Sequence, residues 1–382
     1  MRSDSISITE LAREEIKQVE PCIHGGNIWE EARKYNLEYD EILDFSANVN
    51  PLGPCKKALK KIKDNLWQIP FYPEPNSATL RKTISHKISE IDMDNVIVGN
   101  GSTELIYLFS EVFIEKGDEP LIPAPTFGEY ENAVRRAGGK PKHIICQSDF
   151  SLNLTQLMQK IKPKTKAVFL CNPNNPTSTL IPEDSLIQVL EKAAEENVLV
   201  FLDENFMEFT DDEKRFSLTN KVKTHRNLFI IQSFTKIFGL TGIRVGYGIA
   251  CDEMIKLLLK AKPPWNVNCL AQPAAIAALK DTEYLRKTRR LLKEERKFLL
   301  DNLRQIKELR IFPAHANFIF TDVRKTGLTA SQIKERMLRE GILIRDCSSF
   351  RGLDEYYIRV AIRTHKENKE LLSVLQKVLS TA

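Results

Sequence analysis

Five short, uninterrupted apolar runs punctuate the middle of the chain, at residues 95–99, 166–171, 198–202, 228–232 and 244–250. Runs of this length, rich in Val, Ile, Leu and Phe, predict strands buried on both faces, the habit of a mostly parallel sheet. Between them the apolar positions recur at helical spacing. Over 183–196 they fall at Leu186, Val189, Leu190 and Ala193, one stripe of an amphipathic helix. Strands alternating with helices predict an α/β domain over residues 50–275. The pattern then changes. Residues 281–309 contain neither glycine nor proline and predict one long, charge-laced helix, on which Arg286, Arg289 and Arg290 read as solvated. A strand over 316–320, a helix over 331–340 and strands over 342–345 and 357–362 follow, a smaller α+β unit. Residues 1–20 give weak support for a helical arm.

Composition narrows the functional classes. A net charge of +5, evenly spread, is too slight to argue for a nucleic-acid partner. No stretch approaches the roughly 18 apolar residues of a membrane helix, and the first twenty residues lack the apolar core of a secretory signal. The seven cysteines are odd in number, scattered and without a CxxC pair, which argues against a disulfide framework and a zinc knuckle. The expectation is a cytoplasmic enzyme with no metal site.

In open α/β sheets, ligands gather at the carboxyl ends of the strands. The polar clusters there are residues 100–104, 172–176, 203–205 and 233–236. The Gly99-Asn100-Gly101-Ser102-Thr103 turn opens a helix, and the unpaired N–H groups of such a start suit a phosphate. Simple Ser/Thr capping accounts for it as well. Ser233, Thr235, Lys236 and Arg244 supply two hydroxyls, an ammonium and a guanidinium for a second side of the same phosphate. Taken singly, Lys236 also reads as a surface lysine. Yet Phe234 and Ile237-Phe238 flank it, and desolvation by such neighbours depresses an amine's pKa and makes it a nucleophile toward an aldehyde. Asp203 closes an apolar run, where a carboxylate is costly unless a cation meets it. A protonated pyridine nitrogen is such a cation; helix capping is the plain alternative. Asn175, Asp203, Lys236 and Arg244, in that order, read together as a pyridoxal phosphate site.

The order Asn-Pro-Asn-Asn-Pro-Thr (172–177), Asp-Glu-x-Phe (203–206), Ser-Phe-Thr-Lys (233–236) and Gly-x-Arg-x-Gly-Tyr (242–247) resembles the fold-type I pyridoxal-phosphate enzymes of the aminotransferase family. Three segments are more particular: His24-Gly25-Gly26-Asn27 with residues 44–53, then 264–268, then 344–363. They are similar to the L-threonine-O-3-phosphate decarboxylases of cobalamin synthesis, relatives of the histidinol-phosphate aminotransferases. The Lys and Asp motifs specify only the superfamily; the His-Gly-Gly-Asn start favours the decarboxylases.

The resemblance, which runs from about His24 to the C-terminus, implies a fold-type I transferase. Its large domain (50–275) would carry a mostly parallel seven-stranded sheet, beside a small C-terminal α+β domain (276–382). Residues 1–49 would form an arm and part of the small domain. With pyridoxal 5'-phosphate bound, Lys236 would form the Schiff base, Asp203 would pair with the ring nitrogen, Asn175 would bond the ring hydroxyl and Phe127 would stack on the ring. Ser102, Thr103, Ser233, Thr235 and Arg244 would contact the cofactor phosphate, with Tyr72 reaching across from the second subunit of a homodimer. Arg359 would hold a substrate carboxylate. Arg345, His24, Gly26 and Asn48 would surround a substrate phosphate. Two anionic groups need two cationic sockets, and arginine's planar fork suits each.

One position departs from the family pattern. A small residue commonly follows the Asp-Glu pair, where this chain has Asn205, a change that bears on ring packing and substrate preference. The expected reaction is decarboxylation of L-threonine-O-3-phosphate to (R)-1-amino-2-propanol O-2-phosphate, with L-serine-O-phosphate as a substrate one methyl smaller. The alternatives are histidinol-phosphate transamination with 2-oxoglutarate and a non-catalytic regulator on the same fold, against which an intact Lys236 argues.

Overall fold

A computed structural model describes residues 7–88 and 90–380, without the side chains of residues 213 and 214. Its centre is a seven-stranded sheet built of Val96–Gly99 (β1), Leu121–Ala124 (β2), Lys142–Ile145 (β3), Ala167–Cys171 (β4), Leu199–Asp203 (β5), Leu228–Ser233 (β6) and Gly246–Ile249 (β7). The order across the sheet is β1-β7-β6-β5-β4-β2-β3. β7 runs antiparallel to β1 and β6, and every other neighbouring pair is parallel. The apolar runs are continuous because helices cover both faces. Val168, Leu170, Val200, Leu202 and Ile230 enter one core layer, while Phe169, Phe201 and Phe229 enter the other beside Phe109 of the helix Ser102–Phe113. Alternation along each strand sorts them.

Two of the seven strands lack the continuous apolar signature. β2 contains Pro123, which cannot donate to a ladder, and prolines also flank it at 120 and 125. β3 is an edge strand with Lys142 and Ile145 exposed.

The smaller sheet is antiparallel, in the order Arg345–Asp346, Tyr357–Ala361, Phe318–Asp322 and Arg310–Ile311. The helices Thr282–Leu303, Ala330–Arg339 and His365–Ser380 accompany it. The long helix starts where Asp281 accepts a hydrogen bond from the Tyr284 N–H and stops at Leu303, six residues before the end of the predicted helix. Arg286 and Arg290 pair on its surface with Glu283 and Glu294. Arg289 is instead half-buried and donates to the Glu208 carbonyl at 3.1 Å, because the helix lies against the 3-10 turn Met207–Phe209.

Leu43–Asp44 pairs in parallel with Ile342–Leu343. Phe45 N–H donates to Leu343 O at 2.8 Å, and Ala361 N–H donates to Phe45 O at 2.8 Å. The N-terminal segment is thereby stitched into the smaller sheet. Ahead of it lie two short helices, Ile8–Leu11 and Glu14–Lys17; residues 1–6 of the expected arm fall outside the described residues. Among the described residues no helix is long and apolar enough to cross a membrane.

Candidate active site

β1 ends at Gly99, and the chain turns through Asn100-Gly101 into the helix that starts at Ser102. Gly101 has φ +80°, and a Cβ built on it would stand 2.5 Å from Arg244 Nη2. The turn and the guanidinium fill adjoining space that only glycine leaves open. Strand register sets Gly246 between Gly99 and Ser233, and a Cβ on Gly246 would lie 2.6 Å from Ser102 N. These two close approaches bring Ser102, Thr103, Ser233, Thr235 and Arg244 to one corner. Ser233 Oγ lies 2.5 Å from Thr235 Oγ1 and accepts the Thr235 N–H at 3.0 Å. Arg244 itself has φ +60°, a left-handed backbone that costs energy in a non-glycine residue and is found concentrated at binding sites.

Asp203 closes β5 and is 4% exposed. Tyr130 Oη donates to its Oδ2 at 2.7 Å, and Asn205 N–H donates to its Oδ1 at 2.8 Å. Burial nevertheless pushes its carboxyl up to about 6, because these donors offset only part of the desolvation cost. Lys236 follows β6. Burial, then the nearby Arg359 and Arg244 guanidinium groups, push its ammonium down to about 8, against the pull of Asp203. No described residue forms a hydrogen bond or ion pair with Nζ.

On the other side stands Arg359, in the central strand of the smaller sheet. It is 5% exposed, donates through Nη1 to Asn175 Oδ1 and through Nη2 to Ser46 O at 2.8 Å, and leaves Nε without a partner. Asn175 Nδ2 has no partner among the described residues. Arg345 is 6% exposed, donates through Nη2 to Ile23 O at 2.7 Å and Ser349 Oγ at 2.8 Å, and lies over the Phe350 ring. Neither arginine has a carboxylate within ion-pairing distance among the described residues. Arg363, by contrast, is spent on Glu367 and the Asp44 carbonyl.

Arg345 lines a cavity of about 190 Å³ with His24, Gly26, Ser46 and Lys334. Asn48 is buried outside that lining with its Oδ1 unpartnered. His24 Nε2 is 2.7 Å from Glu129 Oε1, and the Gly26 N–H donates to Ser46 Oγ at 2.7 Å. Tyr107 Oη holds the other Glu129 oxygen. The His-Gly-Gly segment thus uses its polar groups as an internal brace. Phe127 stands half-buried with its ring 5.6 Å from His24 and 5.7 Å from Tyr130. Tyr72 lies away from all of these, 80% exposed and 4.7 Å from the Trp265 ring. Sequence reading missed two residues, Tyr130 and Ser46, and named Asn205 without the bond its amide makes to Ser102. Tyr130 sits three positions after Phe127 at a helix start and carried no signal; Ser46 lay inside the quoted 44–53 segment.

Residues 40–375 match the family described as aminotransferase class I and II. The chain belongs to that family. A histidinol-phosphate aminotransferase of Methanothermobacter thermautotrophicus is 36% identical over 381 residues, 99% of this chain and all of that one. Another, from Methanosarcina mazei, is 36% identical over 97% of this chain and 98% of its own. Among solved structures, the histidinol-phosphate aminotransferase of Clostridium acetobutylicum superposes with a TM-score of 0.83 at 34% identity, covering 89% of this chain and 100% of that one. The L-threonine-O-3-phosphate decarboxylase of Porphyromonas gingivalis gives 0.78 at 28% identity, covering 88% and 99%. The Sinorhizobium meliloti histidinol-phosphate aminotransferase, described in complex with pyridoxal-5'-phosphate, gives 0.84 at 21% identity, covering 97% and 98%. The fold is the fold-type I architecture expected from the aminotransferase motifs.

Pyridoxal 5'-phosphate is the cofactor of this aminotransferase family, and the residues fit it. An unpartnered amine, a buried carboxylate raised toward neutrality, a free amide donor on Asn175 and a glycine-made cradle under Arg244 match its aldehyde, ring nitrogen, hydroxyl and phosphate. The expectation of threonine-phosphate decarboxylation is corrected: relatives 31–36% identical over nearly the whole chain carry the name histidinol-phosphate aminotransferase. Lyase chemistry and a place in cobalamin synthesis fall with it. The physical reason lies in His24 and Gly26. Their polar groups serve Glu129 and Ser46 while both residues line the cavity beside Arg345, and contacts of that kind do not decide which bond breaks at Cα.

Proposed function

We propose that the protein transaminates histidinol phosphate, with 2-oxoglutarate as amino acceptor. The observation that carries this reading is the pair of buried arginines, Arg345 and Arg359, held without carboxylate partners on the substrate side of Lys236. The naming of the full-length relatives supports the same substrate. Leaving two guanidinium groups buried and unpaired is costly, and anionic ligands remove that cost. Histidinol phosphate offers a phosphate to Arg345, beside the cavity. The oxo acid offers a carboxylate to Arg359 in the second half-reaction.

When bound, the cofactor supplies an aldehyde and a protonated ring that accepts the electron pair released at the substrate Cα. The protein's residues do the rest. Asp203, its two oxygens fixed by Tyr130 and Asn205, keeps a negative charge against the ring nitrogen. Asn175 donates to the ring hydroxyl through Nδ2. Lys236 Nζ, already depressed toward neutrality, takes the proton from the substrate Cα and returns it. Arg359 fixes the orientation of an α-carboxylate, which decides which bond at Cα faces the ring. In a two-fold dimer the exposed Tyr72 would reach the cofactor phosphate of the second copy.

Single-turnover spectra test the reading. Histidinol phosphate should convert the holoenzyme to its pyridoxamine form without carbon dioxide release, and 2-oxoglutarate should restore it. Arg345→Ala should weaken the first half-reaction on the order of 10²-fold, the scale of a lost buried charge contact. Carbon dioxide release from threonine phosphate at a comparable rate would overturn the assignment.

A further inference from the structure

Asn205 bonds to both Ser102 and Asp203, two residues assigned to the cofactor, and lies outside the cavity at Arg345. It follows the Asp-Glu pair at the end of β5. Its backbone N–H donates to Asp203 Oδ1 at 2.8 Å. Its side-chain Nδ2 donates to Ser102 Oγ at 2.9 Å, bridging 103 residues of sequence. Its Oδ1 is buried without a partner among the described residues, and the residue does not line the cavity at Arg345.

We infer that Asn205 is a positioning residue that couples the two anchors of the cofactor, orienting the Ser102 hydroxyl toward the phosphate while its backbone holds Asp203 for the ring nitrogen. The argument turns on hydroxyl geometry. A serine hydroxyl has one proton to give and two lone pairs to offer. Once Nδ2 occupies a lone pair, the O–H of Ser102 points away from Asn205 and is free for an anion at the helix N-terminus. A side chain without that amide would leave the rotor unconstrained. The amide therefore acts on phosphate retention, and not on substrate preference.

The inference rests on the reading that pyridoxal phosphate sits against Lys236 with its phosphate at Ser102. Its test is equilibrium dialysis of wild-type, Asn205→Ala, Asn205→Asp, Ser102→Ala and doubly substituted holoenzymes, with pyridoxal, which lacks the phosphate, as a second probe. Asn205→Ala should hold pyridoxal phosphate about 5- to 10-fold more weakly, the scale of one hydrogen bond, and pyridoxal as tightly as wild type. Asn205→Asp should be weaker still, because a carboxylate can only accept and captures the Ser102 proton. The double variant should be no weaker than Ser102→Ala alone, the signature of a shared contact. Equal loss of both probes, or no loss of either, overturns the inference. Borohydride labelling separates this outcome from failure of the parent reading: label on Lys236 with an unaltered Asn205→Ala variant sinks this inference alone, whereas label elsewhere sinks both.

Discussion

Two titrating side chains set the chemistry at the scale of single residues. Lys236 is held near 8 instead of its ordinary 10.5. Its free amine therefore accumulates as pH rises through about 8, where half is free, and saturates about a unit above. The rate at which apoprotein captures pyridoxal phosphate should climb up to that pH and then level off, as absorbance after mixing would show. A rate still rising steeply toward 10 would contradict the depressed amine. Asp203 behaves oppositely. Its folded carboxyl lies near 6 against an ordinary 3.8, so the fold binds that proton more tightly than the unfolded chain does. The stability this lends is complete below 3.8 and is lost as pH rises through 6. At pH 8, Asp203→Asn apoprotein should accordingly be more stable than wild type by about 1–3 kcal/mol, measured by urea denaturation, while retaining the cofactor poorly. An apoprotein made less stable by this substitution would refute the cost of the buried charge.

Strand ends govern the next scale. Which residues bear chemistry was legible from sequence because parallel strands deliver their carboxyl ends to one crevice: Asn175, Asp203, Ser233 and Lys236 all follow apolar runs. β2 and β3 were not, since Pro123 and the exposed Lys142 break the signature that burial imprints on the other strands. Nor could residue order reveal that His24 pairs with Glu129, because 105 residues separate them and only the folded sheet brings them together. Close packing at β7 yields a further expectation. Gly246→Ala would press its Cβ on the backbone N of Ser102, 2.6 Å away, and backbone cannot turn aside as a side chain can. The substitution should cost about 1–3 kcal/mol in denaturation and displace the helix start that receives phosphate, so cofactor retention falls too. Gly101→Ala meets the guanidinium of Arg244 and also a backbone at φ +80° that a side chain strains, so it should impair retention with a comparable loss of stability.

At the scale of the whole molecule, an apolar surface runs through Leu66, Trp67, Ile69, Phe71 and Tyr72, each roughly half to four-fifths exposed, next to Trp265. Patches of this kind mark subunit contacts. Sedimentation should give a dimer. Mixing Lys236→Ala with Tyr72→Ala subunits should restore part of the activity that each lacks alone, because one of the two sites in a mixed dimer then has both residues intact. Absence of any recovery in a demonstrated mixed dimer would place Tyr72 outside the site.

The stitching of Leu43–Asp44 to Ile342–Leu343, and of Ser46 to Arg359 across 313 residues, has a consequence for biosynthesis. A nascent chain emerges N-terminus first, so every group proposed to grip the vitamin has left the ribosome long before the guanidinium proposed to grip the oxo acid. A polypeptide released prematurely after the sheet would own a coenzyme seat with no floor for its reactants, and Leu43–Asp44 would wait, unpaired, for a strand that never arrived.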